Sequence, residues 1–127
     1  SSGCRASRYS SQFHQRRTIE IYGPGTHSRE WLHPEDLARA VARAIDRLAT
    51  ADHGAERFII SSGRPISMRD LARTVVRRVG SGGVDHVDST SQAFSLTTDT
   101  TKARRLLGWR PGIGIEEIID RVAAAID

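Results

Sequence analysis

Cysteine, lysine and long apolar runs are scarce in this 127-residue chain. Cys4 is the only cysteine, so an internal disulfide is impossible. No apolar run approaches the roughly 20 residues that a membrane-spanning helix needs. The polar N-terminal segment also lacks the apolar block of a secretory signal. The sequence therefore predicts a cytoplasmic protein without a membrane anchor.

Lysine is almost entirely replaced by arginine. Lys102 is the only lysine among 19 basic residues, and the formal net charge is +4. Such charge is compatible with nucleic-acid binding. Apart from a group within the first 17 residues, however, the arginines are scattered along apparent helices. Solvated arginine-rich faces are the simpler interpretation, and nucleic-acid binding is an alternative that charge alone supports.

The first part of the chain predicts a tail, a strand and a turn. Residues 1–17 are rich in Ser, Arg and Gln and predict a polar tail or docking segment, so the domain is expected to span 18–127. Thr18–Tyr22 alternates apolar and polar residues, as a strand does. Gly23-Pro24-Gly25 predicts a turn. Such a turn returns a single cation, Arg29, beside a strand end, which is a way to hold an anion.

A helix is expected to begin at Pro34, because proline suits the first helical turn. Its apolar residues form one stripe at helical spacing: Leu37, Val41, Ala44, Ile45 and Leu48. Arg39, Arg43 and Arg47 fall on another side, which the pattern predicts to face solvent. A short apolar run, 57–60, predicts a buried strand.

The second half predicts more helices than strands. Ser67 and Asp70 resemble a capping box that starts a helix ending at Gly80. A short strand is expected at 84–87, and a loop at 89–98 anchored by Phe94 and Leu96. A short helix ends at Gly108, Trp109 forms a packing corner, and a last helix follows at 115–126. The expected class is α/β, with a small incomplete sheet and about four helices, as in part of a larger fold.

Three segments, in this order and spacing, resemble a known family. They are IEIYGPG followed by REWLHPED in 19–36, FIISSGRPISMRDLA in 58–72 and DTTKARRLLGWRP in 99–111. Together they resemble the C-terminal, substrate-binding portion of the NAD-dependent epimerase/dehydratase family, the extended short-chain dehydrogenase/reductases. The resemblance covers about residues 18–127.

The resemblance implies three substrate-binding residues. Arg29 matches the arginine that contacts the substrate phosphate, commonly in a nucleotide sugar, and a surface ion pair with Glu30 or Glu35 is the alternative. Glu20 and Tyr22 match positions that hold the nucleotide base, partly through backbone groups, although plain strand residues would look the same. Many nucleotide-sugar enzymes of the family carry a second arginine before the DTTKA-like segment, and none stands between Asp85 and Asp99.

The motifs that bind the cofactor and carry out catalysis in this family are missing from the sequence. There is no Gly-x-x-Gly-x-x-Gly cofactor loop, and neither Tyr9 nor Tyr22 has a lysine four residues later. We therefore expect no catalytic residue and no cofactor bound by this chain alone, although the resemblance implies NAD(P) for the full-length family. His27 and His33 lack further ligands in a metal-binding pattern, so no metal site is expected. Asp36 is expected to stabilise a helix start.

Two functions remain open. The chain is either the substrate-binding part of a nucleotide-sugar epimerase, dehydratase or reductase, present as a truncated form, or a non-catalytic binding or interaction module derived from that family. In either case the domain would expose an apolar face. This predicts self-association or a partner chain that covers the face.

Overall fold

The computed structural model describes residues 18–50, 54–90 and 94–126, so the predicted tail at 1–17 lies outside the described residues. Its elements, in chain order, are β1 (Thr18–Tyr22), β2 (Ser28–Glu30), α1 (Pro34–Thr50), β3 (Pro65–Ser67), α2 (Met68–Val79), β4 (Gly83–Val87), a π-helical segment (Ala103–Leu107) and α3 (Ile115–Ile126). The predicted strands at β1 and β4, and the predicted helices, are thus confirmed.

Local capping explains where the helices begin and end. At the start of α1, His33 Nδ1 accepts a hydrogen bond from Glu35 N (3.1 Å), and the His33 carbonyl accepts from Asp36 N. At the start of α2, Ser67 Oγ accepts from Asp70 N at 3.1 Å. Gly80 ends α2 in the left-handed conformation, with φ of 85°. Each of these signals lies within a few residues of the helix end it determines.

The strands form two small sheets. β1 and β4 pair in parallel, with Thr18 opposite Gly83 and Tyr22 opposite Val87. A parallel pair needs a crossover connection, which here includes α2. β2 pairs with β3 in a second, two-stranded sheet.

The chain divides into two compact units. Among described residues, the first unit comprises 18–28, 66–90, 94–95 and 116–126. Ile21 of β1, Ala72 of α2 and Ile119 of α3 are buried in it. Ion pairs join α2 to α3: Arg77 Nη2 lies 2.8 Å from Glu116 Oε1, and Arg78 pairs with Asp120.

The second unit comprises 29–50, 54–65 and 96–115. Its core contains Ala40 of α1 together with Ala103, Leu107 and Trp109. Leu32, Phe58 and Ile60 pack against that core and are partly buried. The packing corner predicted at Trp109 is confirmed, because this side chain is fully buried.

Both sides of α1 reach solvent: Arg39 and Arg43 are exposed, as predicted, whereas Arg47 is partly buried. The apolar stripe of α1 is open to solvent, with exposed fractions of 46% at Leu37, 52% at Val41, 61% at Ile45 and 76% at Leu48. The arginine side also makes specific contacts. These run from Arg39 to the Arg110 carbonyl, from Arg43 to the Leu107 carbonyl and from Arg47 to Glu56. Amphipathic spacing identifies the apolar side, but it does not reveal whether this chain supplies the surface that covers it.

Two shorter predictions are wrong. The segment 57–60 is not a strand, since no β-ladder partner pairs with it among the residues that the structure describes. Phe94 and Leu96 do not anchor the loop, because they are 66% and 52% exposed.

The α/β class is confirmed, with small two-stranded sheets and helices that follow them. In the described ranges, every helix is too short or too polar to cross a bilayer.

Candidate functional site

The backbone of β1 has a second, open edge. Gly23 N donates to the Val87 carbonyl at 2.7 Å, which continues the ladder to β4 beyond Tyr22. In a parallel ladder, alternate residues direct both backbone groups toward the same neighbouring strand. Ile21 therefore faces β4 with its N–H and C=O, whereas Glu20 and Tyr22 direct theirs away from β4. Within the described part of the chain, β1 pairs with no other strand.

A groove of about 320 Å³ lies against β1. One wall is the strand itself, residues 19–22, and the other consists of apolar α2 residues. The α2 residues of this wall are Met68, Leu71, Ala72 and Val75. His27 completes the lining of the groove. The groove thus places an apolar surface beside a strand edge with hydrogen-bonding capacity. Its volume lies at the small end of the range for ligand sites.

Two predicted site residues share this groove. Glu20 and Tyr22 both line it, and the Tyr22 side chain is 67% exposed. Among the described residues, the Glu20 carboxylate has no hydrogen-bond or ion-pair partner. Both residues therefore stand at the open strand edge, where a ligand can reach them.

The turn after β1 is bonded directly to the start of α2. Met68 N donates to the His27 carbonyl at 3.0 Å, and Arg69 N donates to the Gly25 carbonyl at 2.9 Å. Gly25 has φ of +68°, and a Cβ there would lie 2.9 Å from the Ile21 side chain. Only glycine combines this φ with so close an approach. These contacts fix the position of β1 relative to α2, and with it the width of the groove.

Arg29 lies in the other unit, on β2. It is partly buried and already takes part in an interaction within the chain. Its neighbour Glu30 accepts a hydrogen bond from Thr98 Oγ1 at 3.0 Å. The structure thus brings Glu20 and Tyr22 together in one groove, and it places Arg29 in a separate unit.

A second pocket, of about 510 Å³, lies beyond the carboxyl ends of β1 and β4. It is lined by Gly23, Pro24 and residues 86–90. His86 Nδ1 lies 2.9 Å from the Gly23 carbonyl oxygen, so its ring is tied to the turn. The pocket is open, and its hydroxyl and carboxylate side chains are exposed.

Asp36 is structural, as predicted. It is only 2% exposed, and its carboxylate accepts hydrogen bonds from Gly112 N (2.9 Å) and Ile113 N (3.0 Å). Burial raises the pKa of this carboxyl, but the Gly112 amide, the Arg39 guanidinium and the Ile113 amide outweigh burial and hold the pKa below its usual value. An ionised, fully bonded carboxylate is suited to holding a fold together.

The residues that the structure describes do not fit a nicotinamide dinucleotide. A dinucleotide loop leads from a strand into a helix whose N-terminus receives the pyrophosphate. Gly80 instead ends α2, and Gly83 begins strand β4. In the described ranges, no group of three or more His, Cys, Asp or Glu side chains could hold a metal ion.

The residues on the α2 side of the groove were not predicted from the sequence as site residues. Met68 and Leu71 have the spacing of core residues, and both are only partly buried. The available signal was their position in the first turn of the helix that begins after the Ser67 cap.

Comparisons with known proteins agree with this fold. Residues 3–60 match the model of the NAD dependent epimerase/dehydratase family. UDP-glucuronate 4-epimerase of Thermodesulfobacterium geofontis is 28% identical over 117 residues, which are 90% of this chain and 35% of that protein. GDP-L-fucose synthase of Sinorhizobium fredii is 33% identical over 100 residues, 77% of this chain and 30% of that protein.

Solved structures show the same fold. UDP-glucuronic acid 4-epimerase from Bacillus cereus, in complex with UDP-glucuronic acid and NAD, has a TM-score of 0.75 at 19% identity. The similarity covers 96% of this chain and 39% of that one. RMD from Pseudomonas aeruginosa, complexed with NADPH, has a TM-score of 0.74 at 17% identity. This similarity covers 98% of the present chain and 40% of the RMD chain.

The chain spans about a third of the length of the curated relatives it matches. Their names include both UDP- and GDP-linked sugars. Sequence match and fold together lead to one conclusion: the chain is similar to a part of the proteins of the NAD-dependent epimerase/dehydratase family.

Proposed function

We propose that this chain supplies the substrate-binding part of an NAD-dependent sugar-nucleotide epimerase- or dehydratase-like oxidoreductase, and that it is not catalytic alone. The observation that carries the proposal is the groove at the open edge of β1. There, backbone hydrogen-bonding groups of Glu20 and Tyr22 stand beside the apolar wall of α2.

A nucleobase has the shape and polarity that this groove needs. Its edge carries N–H and C=O groups, which complement the alternating donors and acceptors of an unpaired strand edge. Its flat faces are apolar enough to pack on Met68 and Leu71, and the Tyr22 ring offers a surface for stacking. Glu20 and Tyr22 thus contact the nucleoside.

Arg29 contacts a substrate phosphate. A guanidinium offers planar, paired donors that match two phosphate oxygens. The role follows from the match of Arg29 to the family position, and the residue is partly buried on β2. The substrate class is a nucleotide sugar or another phosphorylated compound.

Hydride transfer needs a bound nicotinamide and an acid or base at the reacting carbon. This chain offers neither a dinucleotide loop nor a Tyr-x-x-x-Lys pair. NAD(P) would therefore be held by residues outside this chain, and we assign no catalytic residue within it. The location in the cytoplasm stays a prediction.

Isothermal titration calorimetry with nucleotide sugars tests the proposal. UDP-glucose and GDP-mannose should each be titrated into the chain, with and without NAD. The Arg29→Ala variant should bind the tighter of the two at least about tenfold more weakly. Arg64→Ala removes the same charge from an exposed position in the same unit and should bind like the wild type. Absence of binding to any nucleotide sugar would refute the proposal.

A second function, that of an interaction module, is favoured by one observation. The apolar stripe of α1, from Leu37 to Leu48, is exposed at four large side chains. A surface of this kind marks a contact with another protein surface. In this alternative the chain associates with itself or with a partner and binds no nucleotide, so the titration above separates the two functions.

A further inference from the structure

We propose that the second unit binds a phosphate group over Gly63, where the Arg104 guanidinium and the Thr100 hydroxyl converge. The groove beside β1 belongs to the first unit, so this proposal does not rest on the nucleotide-binding function. It concerns the loop 61–64 and the helical turns 101–107 that follow Thr100.

The loop turns at Gly63 and is held there by a hydrogen bond. Gly63 has φ of +67°, a conformation that residues with a side chain rarely adopt. The preceding Ser62 is buried, and its Oγ accepts a hydrogen bond from Arg64 N at 3.2 Å. This bond fixes the turn, and with it the direction in which the bare Cα of Gly63 faces.

Two polar groups from the helical turns face that bare Cα. Arg104 Nη2 lies 3.2 Å, and Thr100 Oγ1 lies 3.4 Å, from the point where a Cβ on Gly63 would stand. Arg104 N donates to the Thr100 carbonyl at 3.1 Å, so the two residues lie one helical turn apart on the same side. Lys102 Nζ donates to the Arg57 carbonyl at 2.9 Å, which ties these turns to the segment that leads into the loop.

Neither polar group has a hydrogen-bond or ion-pair partner in the part of the chain that the structure describes. Thr100 is only 6% exposed, and a buried polar side chain without a partner is uncommon in folded proteins. Its Oγ1 atom nevertheless keeps contact with solvent. Arg104 is exposed, so a ligand can reach the guanidinium. The loop thus holds an unused hydroxyl beside an accessible cation.

The charge around the loop favours an anion. The segments 57–64 and 99–110 together contain six basic residues and one acidic residue. The acidic residue is Asp99, and its carboxylate already accepts a hydrogen bond from Thr101 N at 3.0 Å. A ligand that accepts hydrogen bonds and carries negative charge therefore complements Arg104 and Thr100.

A phosphate group fits the two donors better than a carboxylate does. A guanidinium engages two oxygen atoms of an oxyanion through paired N–H groups. A carboxylate then has no further oxygen for the Thr100 hydroxyl, whereas a phosphate offers a third. Inorganic phosphate and a sugar phosphate present this same chemistry, so the test includes both.

Four variants separate the site from general charge and from packing. Arg104→Gln removes the cation at an exposed position, and Arg105→Gln removes an equal charge one residue further, from a side chain with no atom within 4 Å of the Gly63 Cβ position. Thr100→Val keeps the size of the buried side chain and removes its hydroxyl, whereas Thr100→Ser keeps the hydroxyl.

The test is a ¹H–¹⁵N NMR titration of the full chain with inorganic phosphate, glucose 1-phosphate and acetate at constant ionic strength. At least one of the two phosphates should shift the amides of Gly63 and Arg104, and acetate should bind at least about tenfold more weakly. Arg104→Gln should weaken phosphate binding at least about tenfold, and Thr100→Val about fivefold. Arg105→Gln and Thr100→Ser should stay within about twofold of the wild type.

Four results would overturn the inference. They are the absence of shifts at Gly63 with both phosphates, acetate binding as tightly as phosphate, unchanged affinity in Thr100→Val, and equal weakening by Arg104→Gln and Arg105→Gln. The Arg29→Ala variant distinguishes this site from the proposed substrate site, because it should leave the shifts at Gly63 unchanged. Loss of those shifts in Arg29→Ala would also overturn the inference. None of these results refutes the proposed function, which is measured by the binding of nucleotide sugars.

Discussion

The indole Nε1 of Trp109 donates a hydrogen bond to the backbone carbonyl of Asp36 at 2.9 Å, across 73 residues of chain. The Asp36 carboxylate in turn accepts from the amides of Gly112 and Ile113, and from Arg39 Nη2 at 2.6 Å. One aspartate therefore ties the first turn of α1 to the segment that follows the π-helical turn. All of these residues lie in the second unit.

Loss of the Asp36 side chain should destabilise the chain strongly. Asp36→Ala leaves the part-buried amides of Gly112 and Ile113 without their acceptor and removes the ion pair to Arg39, which costs about 2–4 kcal/mol in the free energy of unfolding. Urea denaturation followed by circular dichroism measures the change. Asp46→Ala, at an exposed position on the same helix, should change stability by no more than about 0.5 kcal/mol. Equal effects of the two variants would contradict a clamp at Asp36.

The same carboxylate predicts a dependence of stability on pH. Because the folded-state pKa of Asp36 lies below its usual value of 3.8, its contribution is present above about pH 3.8 and is lost as the pH falls through the folded-state pKa. Between about pH 5 and pH 2, the wild type should therefore lose more stability than Asp36→Asn. Asp120, whose pKa the Arg78 guanidinium also lowers, titrates in both proteins, so the difference isolates Asp36. Parallel pH profiles would count against this role.

The two glycines of the turn after β1 should differ in their tolerance of a side chain. Both have positive φ, but a Cβ on Gly25 would meet Ile21 Cγ2 at 2.9 Å, whereas a Cβ on Gly23 would have nothing within 4 Å. Gly23→Ala should cost about 1 kcal/mol from backbone strain alone, and Gly25→Ala about 2–4 kcal/mol. Thermal denaturation provides the comparison. Similar losses in the two variants would show that the turn is not held against the groove.

The open face of α1 predicts that the chain associates with itself when no partner is present. Val41→Lys combined with Ile45→Lys should weaken dimerisation, measured by sedimentation equilibrium, by at least roughly tenfold, because burial of each side chain contributes about 1.5–3 kcal/mol. Ala55→Lys combined with Thr97→Lys adds the same charge at exposed positions of the same unit. This control pair should leave the association unchanged. A wild type that is folded and monomeric at all concentrations would contradict the prediction.

Local signals explain why most elements were predictable from the sequence. Pro34, Ser67, Gly80 and Gly108 each mark a helix end through conformational preferences that act within a few residues. Gly108 indeed adopts φ of 61° after the π-helical segment. Alternation in Thr18–Tyr22 likewise predicted β1. Such features do not depend on distant parts of the chain.

The remaining features depend on contacts between distant residues. The hydrogen bonds that the Gly112 and Ile113 amides donate to the Asp36 carboxylate join residues more than 70 positions apart, and no local sequence pattern predicts them. The orientation of α1 depends on which surface covers its apolar stripe, and 57–60 lacks a partner strand in the described ranges. At the groove, Glu20 and Tyr22 were identified through family resemblance, whereas the wall at Met68 and Leu71 required the packing of α2 beside β1.

The central claim is that a nucleotide binds in the groove between β1 and α2. The most direct measurement is a ¹H–¹⁵N correlation NMR titration of the assigned chain with GDP and with UDP-glucose. We predict that the largest amide shifts occur at Glu20, Tyr22, His27, Met68 and Leu71 with at least one ligand. Shifts centred on residues 86–90 of the second pocket, or no shifts with either ligand, would contradict the claim.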